Sequence, residues 1–168
     1  AATAHLAGLR EQIFQEIKGR TLETDMSVPV RKGQFWYYGR SIEGKQYGVQ
    51  CRTAIAAEDD WTPPTLEPGA PLPGEQVLFD GNAEAEGHEF FSLGSFDASS
   101  DGRRVLFGVD VAGDERYVVR VRDLDSGKNL EDEIPGTSAG AEFAPDGGSI
   151  FYTTVDDAWR PDTLWRHV

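Results

Sequence analysis

A serine motif that is typical of hydrolases lies in the second half of the chain, at residues 136–140. The sequence Gly-Thr-Ser-Ala-Gly matches the pattern G-x-S-x-G, which in α/β-hydrolases places a nucleophilic serine, here Ser138, on a strained turn between a strand and a helix. That arrangement needs a helix directly after the serine, whereas Pro145 here leads into a turn and a further strand. The later acid and base would be Asp156 and His167, which are crowded into the same short β segment. We therefore expect no catalytic residue within this chain.

Metal-binding patterns are incomplete in the sequence. Residues 97–102 (Asp-Ala-Ser-Ser-Asp-Gly) imitate the start of a calcium loop, but the twelfth position is Gly108 instead of the closing glutamate. Aspartate and glycine at these positions are what a tight turn requires. The histidines are far apart in the sequence, at His5, His88 and His167. The sequence therefore predicts no metal site, and without a phosphate-binding glycine loop it predicts no cofactor.

An aromatic group could bind the ring of a ligand. It consists of Trp36, Tyr37, Tyr38 and Tyr47. Aromatic residues at strand positions usually pack between strands. We expect core packing for this group.

Composition and charge narrow the class of protein. The chain has 168 residues, of which 39% are hydrophobic and 27% charged, as in an ordinary globular domain. Sixteen basic and 29 acidic residues give a net charge of −13, which repels nucleic acid and anionic membranes and attracts cations or basic peptides. The alternative explanation of this charge is solubility. No apolar run approaches the roughly 20 residues of a membrane helix. Since Cys51 is the single cysteine, we expect no internal disulfide and a cytoplasmic location.

The elements that would position these residues are one helix and many short strands. Residues 3–18 have apolar side chains at helical spacing and predict an amphipathic helix that ends near Gly19. Short β-rich runs follow, at 34–41, 47–54, 76–79, 105–109, 117–124 and 150–155. The proline-rich residues 58–74 predict a long loop that crosses the fold.

An internal repeat indicates the architecture. Residues 101–107 recur as 146–152 at an offset of 45 residues, in each case an Asp-Gly turn followed by an apolar strand. The partner strand at 116–121 has a weaker counterpart at 162–166. A fainter copy of the unit starts at Gly33. A repeat of about 40–50 residues predicts blades of a β-propeller, and the alternative is a sandwich with two coincidental hairpins.

The number of blades is too small for a closed ring. Propellers close with about 4–8 blades, and this chain accounts for about two to three of them after its helix. Open strand edges invite aggregation unless they are paired. We therefore expect the chain to be part of a larger protein that supplies the remaining blades.

Many ordered strings in the chain are similar to one family. They are LREQIFQEIK (9–18), ETDMSVP (23–29), WYY (36–38), EGKQY (43–47), AEGHEFF (85–91), GDERY (113–117), DEIPGTS (132–138) and AWRP (158–161). Together they resemble the prolyl oligopeptidase family of serine peptidases, over nearly the whole chain.

The resemblance implies a seven-bladed propeller over an α/β-hydrolase domain that cleaves short peptides after Arg or Lys with a Ser-Asp-His triad. All three triad residues would lie downstream of Val168, so none is assigned in this chain. Residues 1–24 would be a helix and linker that pack on the hydrolase domain, and residues 25–168 the first, incomplete part of the propeller. The expected partners are the rest of the propeller, the hydrolase domain and short basic peptides.

Two residues take a role from the resemblance. Glu115, in GDERY, matches a propeller acid that resembles the partner of an arginine beside the catalytic aspartate. Ser138 matches a segment that faces the active-site cavity. The alternative for Glu115 is an ordinary surface acid at a blade turn.

A second hypothesis for the whole chain is an autonomous binding module. In that case its propeller-like blades would associate with other copies to complete a ring. Solution size distinguishes the two hypotheses, because only the binding module predicts a defined symmetric oligomer of this chain.

Overall fold

The computed structural model describes residues 3–168. A single 3-10 turn, Ala4–Leu6, leads into helix α1, Ala7–Lys18, and the chain leaves the helix at Gly19. The predicted N-terminal helix is confirmed. None of its residues is buried, and its apolar side chains Leu9, Ile13, Phe14 and Ile17 are 47–60% exposed.

Residues 30–80 form an antiparallel sheet of four strands, called sheet 1. Its strand order follows the sequence: β1 Val30–Lys32, β2 Phe35–Arg40, β3 Val49–Ala54 and β4 Gln76–Asp80. The short helix α2, Gly81–Glu84, follows β4. Asp80 caps this helix by accepting a hydrogen bond from the backbone N–H of Asn82.

Two further antiparallel sheets follow. Sheet 2 contains β5 Ser92–Ala98, β6 Arg104–Asp110, β7 Tyr117–Asp123 and β8 Asn129–Thr137. Sheet 3 contains β9 Glu142–Phe143, β10 Ile150–Val155 and β11 Pro161–His167. The pairing of Thr137 with Thr154 joins sheets 2 and 3 into one hydrogen-bonded path.

The repeat places equivalent strands in successive sheets. β6 and β10 each follow an Asp-Gly turn and form a hairpin with the next strand in the sequence. β6 and β10 do not pair with each other. The sandwich alternative would have allowed such a pairing. The mainly β fold, with a partial propeller after one helix, is confirmed.

The core lies between the sheets. Phe79 of sheet 1 packs against Phe107 of sheet 2, with ring centroids 5.0 Å apart. Between sheets 2 and 3, Leu106 and Val119 are almost fully buried and belong to the same cluster as Ile150. Each sheet therefore buries apolar side chains against its neighbour, which is the packing that a propeller repeats around its axis.

Asp97, on β5, connects all three sheets. One of its carboxylate oxygens accepts a hydrogen bond from Lys32 Nζ of sheet 1 at 2.7 Å. The other accepts one from the backbone N–H of Phe143 of sheet 3 at 3.0 Å. Both carboxylate oxygens of Asp97 therefore accept hydrogen bonds from a neighbouring sheet.

The proline-rich loop differs from the prediction. Residues 55–75 have no regular secondary structure, as expected, but they do not cross the fold, because β3 and β4 on either side are adjacent antiparallel strands of sheet 1. The loop folds back and buries Leu72 against Tyr38 and Val49. Its return to the same sheet is explained by this apolar contact.

Candidate functional site

The loop of residues 111–116, which joins β6 to β7, is built around the buried side chain of Asp110. This carboxylate is 2% exposed and accepts hydrogen bonds from the backbone N–H groups of Ala112, Gly113 and Glu115, each at 2.8 Å. Burial opposes ionisation of Asp110, but these hydrogen bonds outweigh it and lower the pKa of the carboxyl. A charged aspartate therefore determines the path of the loop.

Glu115 has an unusual backbone conformation in this loop. Its φ is 56°, in the left-handed region, which costs a side-chain-bearing residue about 1–2 kcal/mol. The bond from its N–H to Asp110 holds it there. The Glu115 side chain is exposed, and within residues 3–168 its carboxylate takes part in no ion pair. The acid is thus available to a group outside the described chain.

The equivalent loop of sheet 3, residues 156–160, repeats this design. Asp156 accepts hydrogen bonds from the backbone N–H groups of Ala158 and Arg160, at 2.8 and 3.0 Å. Trp159 has a φ of 62°. Among the described residues, Glu115 and Trp159 are the side-chain-bearing residues with positive φ.

A contact between side chains joins the two loops. The guanidinium of Arg116 lies over the ring of Trp159, 4.5 Å from its centroid, in a cation–π arrangement. Arg116 also lies 3.9 Å from the Asp114 carboxylate. Arg116, which directly follows Glu115, therefore contacts sheet 3 through its side chain.

Ser138 lies at the same end of the sheets as these loops. It follows Thr137, which pairs with both Tyr117, at the start of β7, and Thr154, near the end of β10. The backbone N–H of Ser138 donates to the carbonyl of Thr153 at 2.8 Å. We call residues 111–116, Ser138 and residues 156–160 the loop face. The structure thus brings the two predicted site residues, Glu115 and Ser138, to one face.

The surroundings of Ser138 differ from those of a nucleophile. Its hydroxyl is hydrogen-bonded to the hydroxyl of Thr153, and the segment that follows forms strand β9 instead of a helix. His167 lies opposite Ile150 at the start of β10, at the other end of that strand from Thr154 and therefore away from Ser138. The chain after Ser138 therefore lacks the helix that a nucleophile elbow requires.

The other sequence candidates have structural roles. Asp101, in the calcium-like segment, accepts hydrogen bonds from Ser99 Oγ and from the backbone N–H of Arg103, so it shapes a turn. In the aromatic group, Trp36 and Tyr38 are buried. Within residues 3–168, no group of three or more His, Cys, Asp and Glu side chains is arranged to hold a metal ion.

Sheet 1 contains a partly buried ion pair near its long loop. Arg40 donates to Glu75 at 2.9 Å, and the hydroxyl of Tyr38 donates to the same carboxylate at 2.7 Å. Burial opposes ionisation of Glu75, but the bonds from Arg40 and Tyr38 lower its pKa. Burial raises the pKa of Cys51, beside this pair, to about 11. The thiol is therefore neutral at ordinary pH.

Sequence reasoning missed Asp110, Arg116 and Trp159. A signal for Asp110 was available, because an aspartate lies at the start of each hairpin loop: Asp110 is the last residue of β6 and Asp156 directly follows β10. The contact of Arg116 with Trp159 depends on the packing of two sheets, which the local sequence does not contain.

The described part of the chain, residues 3–168, has no helix with both the length and the apolar character needed to cross a membrane.

Successive antiparallel sheets with their core between them, and hairpin loops gathered on one face, define a segment of a β-propeller. The family described as "Prolyl oligopeptidase, N-terminal beta-propeller domain" matches residues 1–168. The chain belongs to this family.

Known proteins similar to the chain are peptidases. Protease 2 of Moraxella lacunata is 33% identical over 159 residues, which are 94% of this chain and 22% of that protein. Dipeptidyl aminopeptidase BI of Pseudoxanthomonas mexicana is 31% identical over 165 residues, 98% of this chain and 22% of that protein. The structure of oligopeptidase B from Leishmania major has a TM-score of 0.85 and 32% identity, over 99% of this chain and 22% of that one. The chain thus spans about a fifth of the length of these relatives.

Proposed function

We propose that this chain is the N-terminal propeller segment of a cytoplasmic serine oligopeptidase that cleaves short peptides after Arg or Lys. In this proposal the segment supplies no catalytic residue. It limits the access of substrates and contacts an α/β-hydrolase domain that carries the triad. The names of the relatives, Protease 2 and oligopeptidase B, support the peptidase activity. The net charge of −13 suits basic peptides.

Two surfaces support contact with a further domain. The apolar side chains of α1 are exposed, with Phe14 at 56% and Ile17 at 60%. We assign this helix, within residues 1–24, to packing on the hydrolase domain, because exposed apolar side chains on one helix favour a partner. Residues 25–168 form the blades, and the edge of β11 that faces away from β10 would pair with the next part of the propeller.

The observation that carries the proposal is the exposed Glu115, which lies on the loop face in a left-handed conformation and outside any ion pair of the described residues. Strained backbone persists where the surrounding structure imposes it, and it is concentrated at functional sites. We assign to the carboxylate an ion pair with an arginine of the hydrolase domain when the two domains close. Ser138 would face the cavity between the domains.

The test is the substitution Glu115→Gln in the full-length enzyme. An exposed ion pair is worth about 0–1 kcal/mol, whereas removing half of a desolvated one costs about 3–5 kcal/mol. A loss above the limit for an exposed pair, of about 1.4 kcal/mol or more, lowers kcat/KM for Arg- and Lys-containing peptides about tenfold or more, and we expect a fall of at least this size. The free energy of unfolding of the propeller should change by no more than about 0.5 kcal/mol, as for other surface positions.

The matched control is Glu131→Gln. Glu131 is an exposed acid within β8, away from the loop face, and its substitution removes the same charge. Its kcat/KM should stay at the value of the unsubstituted enzyme. Equal kinetics of the two variants, or a loss in Glu115→Gln that unfolding fully explains, would contradict the proposed contact.

A further inference from the structure

The loop face has an internal connection that the role of Glu115 alone does not require. Glu115 and Trp159 are both left-handed, and Arg116 bridges their loops by stacking on Trp159, 4.5 Å from its centroid. Left-handed residues relax toward ordinary conformations unless contacts hold them. Two such residues in neighbouring loops, joined by one side chain, therefore form a single restrained unit.

We propose that Arg116 and Trp159 form a clasp that positions the Glu115 carboxylate, so that sheet 3 determines the direction of an acid carried by sheet 2. This inference rests on the proposed function, in which Glu115 contacts the hydrolase domain. Trp159 is then a positioning residue for that contact.

Both sides of the clasp are anchored. The backbone N–H of Arg116 donates to Asp114 at 3.2 Å, and that of Trp159 donates to the carbonyl of Asp156 at 3.0 Å. Because Arg116 follows Glu115 directly, fixing its guanidinium on the indole limits rotation of the Glu115 backbone. The clasp thus acts on the same peptide segment as the bond from Glu115 to Asp110.

A second cation–π pair provides a matched control. The Arg31 guanidinium lies 4.0 Å from the ring centroid of Trp61, which is 71% exposed. Arg31 also donates to the carbonyls of Glu58 and Asp60, so this pair holds the long loop of sheet 1. It lies outside the loop face and should not affect Glu115.

The experiment compares Trp159→Asn, Trp159→Phe and Trp61→Asn in the full-length enzyme. Asparagine tolerates the left-handed conformation but removes the ring, whereas phenylalanine retains an aromatic face. The first measurement is hydrogen exchange of the backbone amides of residues 111–116, by mass spectrometry. We expect about two- to fivefold faster exchange in Trp159→Asn, in line with the strength of an exposed cation–π contact. Trp159→Phe and Trp61→Asn should leave the exchange unchanged.

The second measurement is kcat/KM for a basic peptide, with and without Glu115→Gln. If Trp159 acts through Glu115, Trp159→Asn lowers kcat/KM by about two- to fivefold, the same factor as the expected change in hydrogen exchange. It then causes no further loss in the Glu115→Gln background. If the losses in kcat/KM caused by Trp159→Asn and Glu115→Gln multiply in the double variant, the positioning role of Trp159 is overturned.

The two measurements separate the clasp from the proposed function. Unchanged exchange in Trp159→Asn overturns the clasp, whatever the kinetics of Glu115→Gln. Faster exchange, together with normal kinetics of Glu115→Gln, supports the clasp and overturns the proposed domain contact.

Discussion

Glu115 and Trp159 hold matching places in successive hairpin loops, and both have left-handed backbones, with φ of 56° and 62°. In each loop an aspartate at the end of the preceding strand organises the backbone, Asp110 in the first and Asp156 in the second. The repeat therefore extends beyond the strands to the conformation of the loops. It presents an acid on one sheet and an aromatic ring on the next.

The isolated chain should be catalytically inert. Ser138 is hydrogen-bonded to Thr153, and His167 lies at the other end of β10, where it cannot act as its base. We expect no hydrolysis of an Arg or Lys ester and no incorporation of a serine-directed fluorophosphonate, measured by mass spectrometry. The full-length enzyme serves as the positive control. Labelling at Ser138 would contradict the absence of a nucleophile from this segment.

Asp110→Asn should destabilise the chain in a pH-dependent way. The pKa of Asp110 is lowered in the folded state, so its contribution is complete above the unfolded value of about 3.9 and is lost as the pH falls through the folded value. At pH 7 we expect a loss of about 1.5–3 kcal/mol in the free energy of unfolding, as for hydrogen bonds to a charged group. Urea titrations between pH 7 and pH 3 measure it.

The difference between Asp110→Asn and the unsubstituted chain should narrow in acid. Asp156→Asn is the matched variant, and its effect at pH 7 should be smaller, because Asp156 is only half-buried. A loss for Asp110→Asn that stays constant down to pH 3 would show that the charge of Asp110 is not its source.

Glu75→Gln should weaken sheet 1, because it leaves the Arg40 charge without its counter-ion. Removing half of a fully buried pair costs about 3–5 kcal/mol, and since the Arg40 side chain is 21% exposed we expect about 2 kcal/mol here. Thermal unfolding measures the loss. Glu133→Gln, which breaks the exposed pair with Arg120, should have little effect. Equal effects of the two variants would place Glu75 among ordinary surface acids.

Gly94→Ala should destabilise sheet 2, because a methyl group at this position would overlap the ring of Tyr117. Overpacking of this kind costs about 1–3 kcal/mol. Gly8→Ala is the control, since a Cβ on Gly8 meets no atom within 4 Å, and within helix α1 alanine should stabilise the chain by no more than about 1 kcal/mol. Denaturant midpoints of the two variants measure the difference. A neutral Gly94→Ala would mean that the Tyr117 ring can move aside.

The sequence was sufficient to predict strands with a strong apolar pattern. β6, β7 and β10 were found within a residue or so because they carry continuous or alternating apolar side chains. β5 and β8 were missed. Asp97 within β5 and the acidic residues of β8 make these strands look like loops, and they form because neighbouring strands pair with them.

The candidate site was only partly predictable. The resemblance singled out Glu115 and Ser138, whose roles stay predictions, but it did not bring them together: their shared face depends on the pairing of Thr137 with Tyr117 and Thr154. Trp159 entered the sequence analysis only as part of the string AWRP (158–161), which is similar to the family. Its contact with Arg116 arises between two sheets, and sequence spacing alone does not specify such a contact.

The two hydrogen bonds of Asp97 have a consequence for curvature. Because one carboxylate holds Lys32 on one side and Phe143 on the other, the angle between neighbouring sheets is set locally. The relative placement of the three sheets is therefore supported from within the described residues, by one side chain whose two oxygens act on opposite neighbours.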